Sequence, residues 1–230
     1  MTHTHQQKAD LVESVCKAES IRRAYDLWSS VYGEVAAPLE GGPRLLALEL
    51  ARIQPHEKVL EVAVGPGHIL LEILKRVNRT SVIYGIDLSW KMLEKSRRRA
   101  LGTGYKNACL VEADTRQLPF GDRTFDILYS SYALDILGLH DITCALSEFR
   151  RVLKMGGRVV LVNLSKKCSK SRTWVERLYQ LLPATWVPYL LGGCRPVLLA
   201  DLLNQAGFTA IERKFIGGLM SSEIVTARLC

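Results

Sequence analysis

The chain has 230 residues, 48% of them apolar and 23% charged, with a formal net charge of +8. These values fit one large soluble domain with a real core, and no apolar run approaches the roughly 18 residues that would span a bilayer. The basic balance suits nucleic acid, an anionic membrane surface or plain solubility, and does not choose among them. Six cysteines, at 16, 109, 144, 168, 194 and 230, lie scattered without a CxxC pair or a zinc-type Cys/His spacing. The polar N-terminus lacks a signal-peptide core, so a reducing, cytoplasmic setting with free thiols and no metal site is expected.

In chain order, residues 10–52 read as helical, with Gly33, Pro38 and Gly41-Gly42-Pro43 breaking the run. A regular alternation follows. VLEVAV (59–64) is a buried strand and HILLEILKRV (68–77) an amphipathic helix; SVIYGID (81–87) is a strand and WKMLEKSRRRAL (90–101) a helix. ACLVEAD (108–114) and FDILYSSY (125–132) are the next strands, separated by the loop TRQLPFGDRT. ITCALSEFRRVLK (142–154) is a helix and RVVLVNL (158–164) a fifth strand. RPVLLADLLNQAGF gives a last helix before two strands, TAIERKFIGG and SSEIVTARL, close enough to pair antiparallel. Continuous apolar strands alternating with helices predict an α/β fold with a mostly parallel sheet covered on both faces. The expected organisation is a helical cap over 1–52, a core over 53–165, an insertion over 166–194 and a closing helix and strand pair over 195–230.

Ligands of such sheets sit beyond the carboxyl ends of the strands. Gly65-Pro66-Gly67 follows the first strand, where glycine lets a backbone approach a ligand closely. Asp87 closes the second strand about twenty residues on, the place where a carboxylate accepts a ribose diol. Asp114 closes the third, where it can accept from an adenine amine while the Thr115 N–H donates to a ring nitrogen. Each has a bland alternative: a tight turn, a helix N-terminal acid, an Asx-turn. A dinucleotide fingerprint would place glycine at position 70, which is Leu70, and no GK[ST] of a phosphate loop is present. Glu61, in the first strand, repels a pyrophosphate and suits a cation. A phosphate-free adenosine with a sulfonium and an ammonium, S-adenosylmethionine, matches these groups best.

With VLEVAVGPG, YGIDLSWKMLEKSRRR, VEADTRQLPFGDRTFDILYSSYALDIL and EFRRVLKMGGRVVLVNLS in that order, the chain resembles the class I S-adenosylmethionine-dependent methyltransferases. Within them it is most similar to the C-methyltransferases of ubiquinone and menaquinone biosynthesis, sharing Ala63, the LPF segment and the Tyr25-Asp26 pair. The resemblance implies a Rossmann-like sheet of seven strands, the last pair antiparallel. It also implies cofactor contacts from Glu61, Gly65, Pro66, Gly67, Asp87, Leu88, Asp114, Thr115 and Ser131. The chain departs from the quinone enzymes in having Asp135-Ile136 for an Arg-Asn pair and Asn163-Leu164-Ser165 for Glu-Phe-Ser.

Methyl transfer to an activated carbon needs alignment more than acid–base work. No general base declares itself; Asp135, Tyr132 and His140 follow the fourth strand and are the candidates, with capping, packing or exposure as their bland alternatives. Tyr25, Trp28 and Tyr32 share one helix face, either packing it on the sheet or, through Tyr25 and Tyr32, closing over the methyl donor. In the segment 172–195, Trp174 and Trp186 join several leucines after the basic Lys166, Lys167, Lys170 and Arg172. That pattern suits either a buried substrate cap or a helix resting on an anionic membrane. A small hydrophobic acceptor, a prenylated quinone or phenol, is expected. Phospholipid or amine N-methylation, and a non-catalytic cofactor-binding subunit, are the alternatives. Nucleic acid is not an expected partner, because no motif for a flipped base is present. The sequence leaves the oligomeric state open.

Overall fold

The computed structural model describes residues 13–14, 16, 18–28, 37–168, 173–218 and 220–230. Its strands are β1 (Val59–Val62), β2 (Ile83–Asp87), β3 (Ala108–Glu112), β4 (Phe125–Ser131), β5 (Leu153–Leu164), β6 (Phe208–Ile216) and β7 (Ser222–Leu229). They form one sheet in the order β3-β2-β1-β4-β5-β7-β6, parallel except for β7, which runs against both β5 and β6. The mostly parallel sheet expected from the alternation, and the Rossmann-like seven strands with an antiparallel C-terminal pair that the resemblance implied, are both present. Every residue of β1 is buried, which is why its sequence is continuously apolar apart from Glu61.

Helices are α1 (Ala18–Trp28), α2 (Ala37–Ala51), α3 (His68–Leu74), α4 (Trp90–Gly102), α5 (Leu139–Val152), α6 (Trp174–Leu181), α7 (Val187–Leu191) and α8 (Ala200–Gln205). One core lies on the side of α2 and α3, where Leu48, Leu70 and Ile73 meet Tyr129 and Val160. The other gathers Leu146, Phe149 and Leu203 against Leu60, Leu128 and Leu161. Burying such side chains is worth roughly 1.5–3 kcal/mol each.

Four boundaries differ from the sequence pattern, each for a tertiary reason. Gly41-Gly42-Pro43 does not break its helix; α2 runs through Pro43 because Ala47, Leu48 and Ala51, fully buried, anchor it to the core. α5 begins at Leu139, three residues early, since the Leu139 N–H donates to the carboxylate of distant Glu13 at 3.0 Å. It stops at Val152, not 154, because Leu153 turns extended and pairs with Phe125 of β4. The last predicted helix shrinks to α8: the N–H groups of Arg195 and Val197 donate to the carbonyls of Asp135 and Leu164 instead of forming a helical turn.

The insertion after β5 is two short helices. Thr173 and Glu176 form a capping box at the start of α6. Lys166 does not belong to a surface basic cluster; it is 2% exposed and ion-paired with equally buried Glu176 at 2.8 Å. Lys170, Arg172, Tyr32 and the side chain of Trp28 lie outside the described residues. No helix among the described residues is long and apolar enough to cross a membrane.

Candidate active site

The strand order reverses around β1, and a cavity of about 1020 Å³ opens beyond the carboxyl ends of β1, β2 and β4. Its floor is the turn after β1. Gly65 and Gly67 take positive φ (53° and 80°), a conformation that costs a residue with Cβ about 1–2 kcal/mol. A Cβ on Gly67 would also stand 2.5–2.9 Å from Ser96 of α4. This glycine therefore sets the approach of α3 to α4.

Asp87 faces the turn. Its Oδ2 accepts from the Gly65 N–H at 2.8 Å and its Oδ1 from the Ser89 N–H at 2.9 Å. With the Leu88 N–H also donating to this carboxylate, acceptor capacity remains for a further donor such as a hydroxyl. Burial pushes the Asp87 carboxyl up to about 6, against the pull of those backbone donors and with a further push from Asp26. Asp26 accepts from the Ser89 hydroxyl at 2.5 Å, so the cap helix α1 is tied to the N-cap of α4, two residues from Asp87.

Glu61 is 2% exposed, and its Oε2 has no hydrogen-bond partner among the described residues. Burial holds its carboxyl well above the ordinary range; Arg44 opposes that shift and Asp87 adds to it. A buried acid with an unused oxygen is costly unless a donor arrives, and an ammonium is the donor that suits it. Asp114 reaches the same cavity but is gripped by Arg116, whose guanidinium donates to it at 2.6–3.1 Å and also to Asp141 at 3.0 Å. The Arg116 N–H adds a bond at 2.9 Å, so the sites on Asp114 are filled and an adenine amine would have to displace the arginine. The Thr115 hydroxyl is buried and without a partner among the described residues.

Pro66, Leu88, Ser131 and Tyr25 also line the cavity. Of the three candidate bases, the structure brings one there. Tyr132 lines it with a left-handed backbone (φ 53°); its hydroxyl pairs with Ser222 at 2.9 Å, and burial pushes the phenol far upward. Asp135 is fully buried behind the wall, its Oδ2 accepting from the Leu164 N–H at 2.9 Å. His140 is exposed on the first turn of α5 beside Cys144. Trp174 and Trp186 are about half exposed and do not line the cavity.

Arg44 and His68 are among the lining residues that the sequence did not mark. Arg44, from α2, places its guanidinium 5.0 Å from the Tyr132 ring centroid and pairs with buried Glu40 at 2.6 Å. No motif marks it; only the fold of α2 over the sheet brings it in. His68, the residue right after the glycine turn, has Nδ1 against the Arg99 guanidinium. An arginine can only donate, so the neutral ring carries its proton on Nε2. Burial and the nearby arginines lower its pKa and keep it neutral. That Nε2 is buried without a partner among the described residues, a donor suited to an anionic or carbonyl oxygen in the cavity.

Three polar atoms unused among the described residues, on Glu61, His68 and Thr115, thus border one cavity with the Asp87 carboxylate. They fit a ligand with an ammonium, a ribose and a polar base, and they include no cradle for phosphate. A model of the ubiE/COQ5 methyltransferase family matches residues 7–190. The chain belongs to that family. Among its curated relatives, the ubiquinone/menaquinone biosynthesis C-methyltransferase UbiE of Paraburkholderia xenovorans is 30% identical, over 80% of this chain and 71% of the relative. The UbiE of Cupriavidus necator is 28% identical over 82% and 75%. Across curated relatives the match spans 58–75% of their own length. In fold, the chain is similar to the N-methyltransferase NodS of Bradyrhizobium japonicum, solved with S-adenosylhomocysteine: TM-score 0.72, 13% identity, 91% and 98% of the two chains. The cofactor of the family is S-adenosylmethionine, and Glu61, Gly65, Pro66 and Asp87 are residues here that line the cavity and fit it, whereas Gly67 packs against Ser96 and does not line it.

Proposed function

We propose that this chain transfers a methyl group from S-adenosylmethionine to a small hydrophobic acceptor of the prenylated quinol or phenol type. The observation that carries this reading is the two-ended character of one cavity. Carboxylates and orphaned polar atoms gather at the glycine turn, while Ile21, Tyr25, Tyr132, Ile136 and Leu137 supply an apolar end. The names of the curated relatives point the same way.

Held by Glu61, the turn after β1 and Asp87, the cofactor would supply a methyl carbon activated by its sulfonium to an acceptor whose proton is released to water. The protein's task is to align the partners and exclude water, which can lower a barrier by on the order of 7–11 kcal/mol. Asp87 and Glu61 hold the polar ends, and α1, tied through Asp26 to Ser89, closes one side. Tyr132, kept protonated by burial and bonded to Ser222, orients a neighbour and does not remove a proton. Of the two departures from the quinone enzymes, Asp135 is withdrawn into the core, whereas Ile136 lines the cavity and makes that wall apolar.

The test is incubation with deuteromethyl cofactor and extracts of demethylated prenyl quinols, phenols and phospholipids, read by mass spectrometry. Label in the quinol or phenol fraction is expected. Label confined to phospholipid or amine products would overturn the acceptor class, and no label anywhere would overturn the activity. We further propose contact with an anionic membrane through the exposed Trp174, Leu181, Trp186 and Leu190, a face suited to a lipid-borne acceptor. Salt-sensitive flotation with anionic liposomes is expected; its absence removes the idea.

A further inference from the structure

The sheet ends differently at its two edges. β6 exposes Glu212, Arg213 and Lys214, and its register shifts between Thr209 and Glu212 around Ala210, whose φ is 48°. Charges and a bulge are devices that discourage another strand from adding. β3 has no bulge, and its sequence, Ala-Cys-Leu-Val-Glu, holds one charge at its end. The Ile83 N–H donates to the Asn107 carbonyl and the Ala113 N–H to the Asp87 carbonyl. The odd residues therefore face β2, and the strand's period of two turns the peptide groups of Ala108, Leu110 and Glu112 to the open edge.

Beside that edge a concavity of about 620 Å³ lies between β3 and α4, lined by Trp90, Leu93, Glu94, Arg97, Leu101 and Leu110 among others. Trp90 and Leu101 are 55% and 51% exposed, large apolar side chains at both ends of one helical stripe. α4 carries five cations against Glu94, and Glu94 is already paired with Arg98. Lys91 and Arg97 are exposed and make no ion pair among the described residues. None of the concavity's lining residues borders the cofactor cavity.

We propose that the β3 edge and the α4 stripe dock an extended segment of a partner protein with an apolar centre and acidic flanks. A row of peptide groups unpaired among the described residues, at strand spacing, is matched by another peptide backbone, which a lipid or a nucleotide does not offer. The apolar centre covers Trp90, Leu101 and Leu110, and the flanking carboxylates meet Lys91 and Arg97. A second copy of this chain would bring the same cations against themselves, which disfavours a symmetric pairing of the two edges.

The probe is a fluorescein-labelled octapeptide with a Leu-Val-Leu-Val centre between pairs of glutamates, and its counterpart with lysines. With the full chain, fluorescence anisotropy should show saturable binding of the acidic peptide and none of the basic one. Amide hydrogen exchange should slow in 108–112. Trp90→Ala with Leu101→Ala, and separately Arg97→Glu, should each weaken binding tenfold or more while S-adenosylhomocysteine binding persists, which shows that the variants are folded. Protection at β6 or nowhere, affinities within twofold of wild type, or equal binding of the basic peptide would overturn the proposal. So would a concentration-dependent dimer in sedimentation that Trp90→Ala abolishes, since the occupant would then be a second copy.

Discussion

Asp135→Asn separates a structural acid from a catalytic one. Asp135 is fully buried, its Oδ2 accepts from the Leu164 N–H, and its Oδ1 has no partner among the described residues. Burial pushes its carboxyl from 3.8 up to about 7, with Glu40 adding to the shift and Arg195 opposing it. The folded state thus holds this proton more tightly than the unfolded chain. Its contribution to stability is full below about pH 4 and is lost as pH rises to about 7. A shift of that size corresponds to roughly 4 kcal/mol. Asparagine keeps an acceptor for Leu164 and removes the ionisation, so the variant should match wild type near pH 4 and exceed it by about that amount at pH 8. Urea unfolding at both pH values, read as the variant-minus-wild-type difference, cancels carboxylates that shift the other way, such as Glu57 and Asp126. Methyl transfer should stay within a few-fold of wild type. A general base contributes typically 10²–10⁴-fold; a loss of that size, with cofactor affinity intact, would refute the placement of Asp135 outside the chemistry.

Three further outcomes follow from the same geometry. Because Asp87 must be ionised to accept a diol and titrates near 6, calorimetry should show S-adenosylhomocysteine affinity falling by up to tenfold per unit below pH 6. Asp87→Ala should lose affinity on the order of 100-fold and lose that pH dependence as well. Gly67→Ala adds a Cβ to a left-handed residue and drives it into Ser96. It should cost several kcal/mol, with both melting temperature and cofactor binding lost; an unchanged melting temperature would contradict the close α3–α4 packing. Lys166→Met strands buried Glu176 and should destabilise by about 3–5 kcal/mol, measured by urea unfolding, whereas a solvated lysine would change little.

The order of strands and helices could be read from the chain because it rests on local physics. Apolar runs of strand length and helical spacing report burial directly, and both glycines of the turn and Asp87 fall where such runs end. Glu61 was legible for a similar reason, as a lone acid inside a run that is otherwise apolar. His68 stood in plain view next to the glycine turn, but its unused Nε2 depends on Arg99, 31 residues away, and no local pattern carries that pairing.

What the chain determined unaided is therefore its alternating architecture and the strand ends around which the cavity opens, since both depend on neighbours in sequence. The fold alone decided which polar groups are free to act. Asp114 and Thr115 are consecutive, yet Arg116 occupies the first and leaves the second's hydroxyl unused; Tyr132 and Asp135 are three apart, yet one faces the cavity and the other the core. Burial and hydrogen-bond partners are supplied by residues from distant parts of the chain, so a side chain's chemical availability exists only once the strands have been assembled.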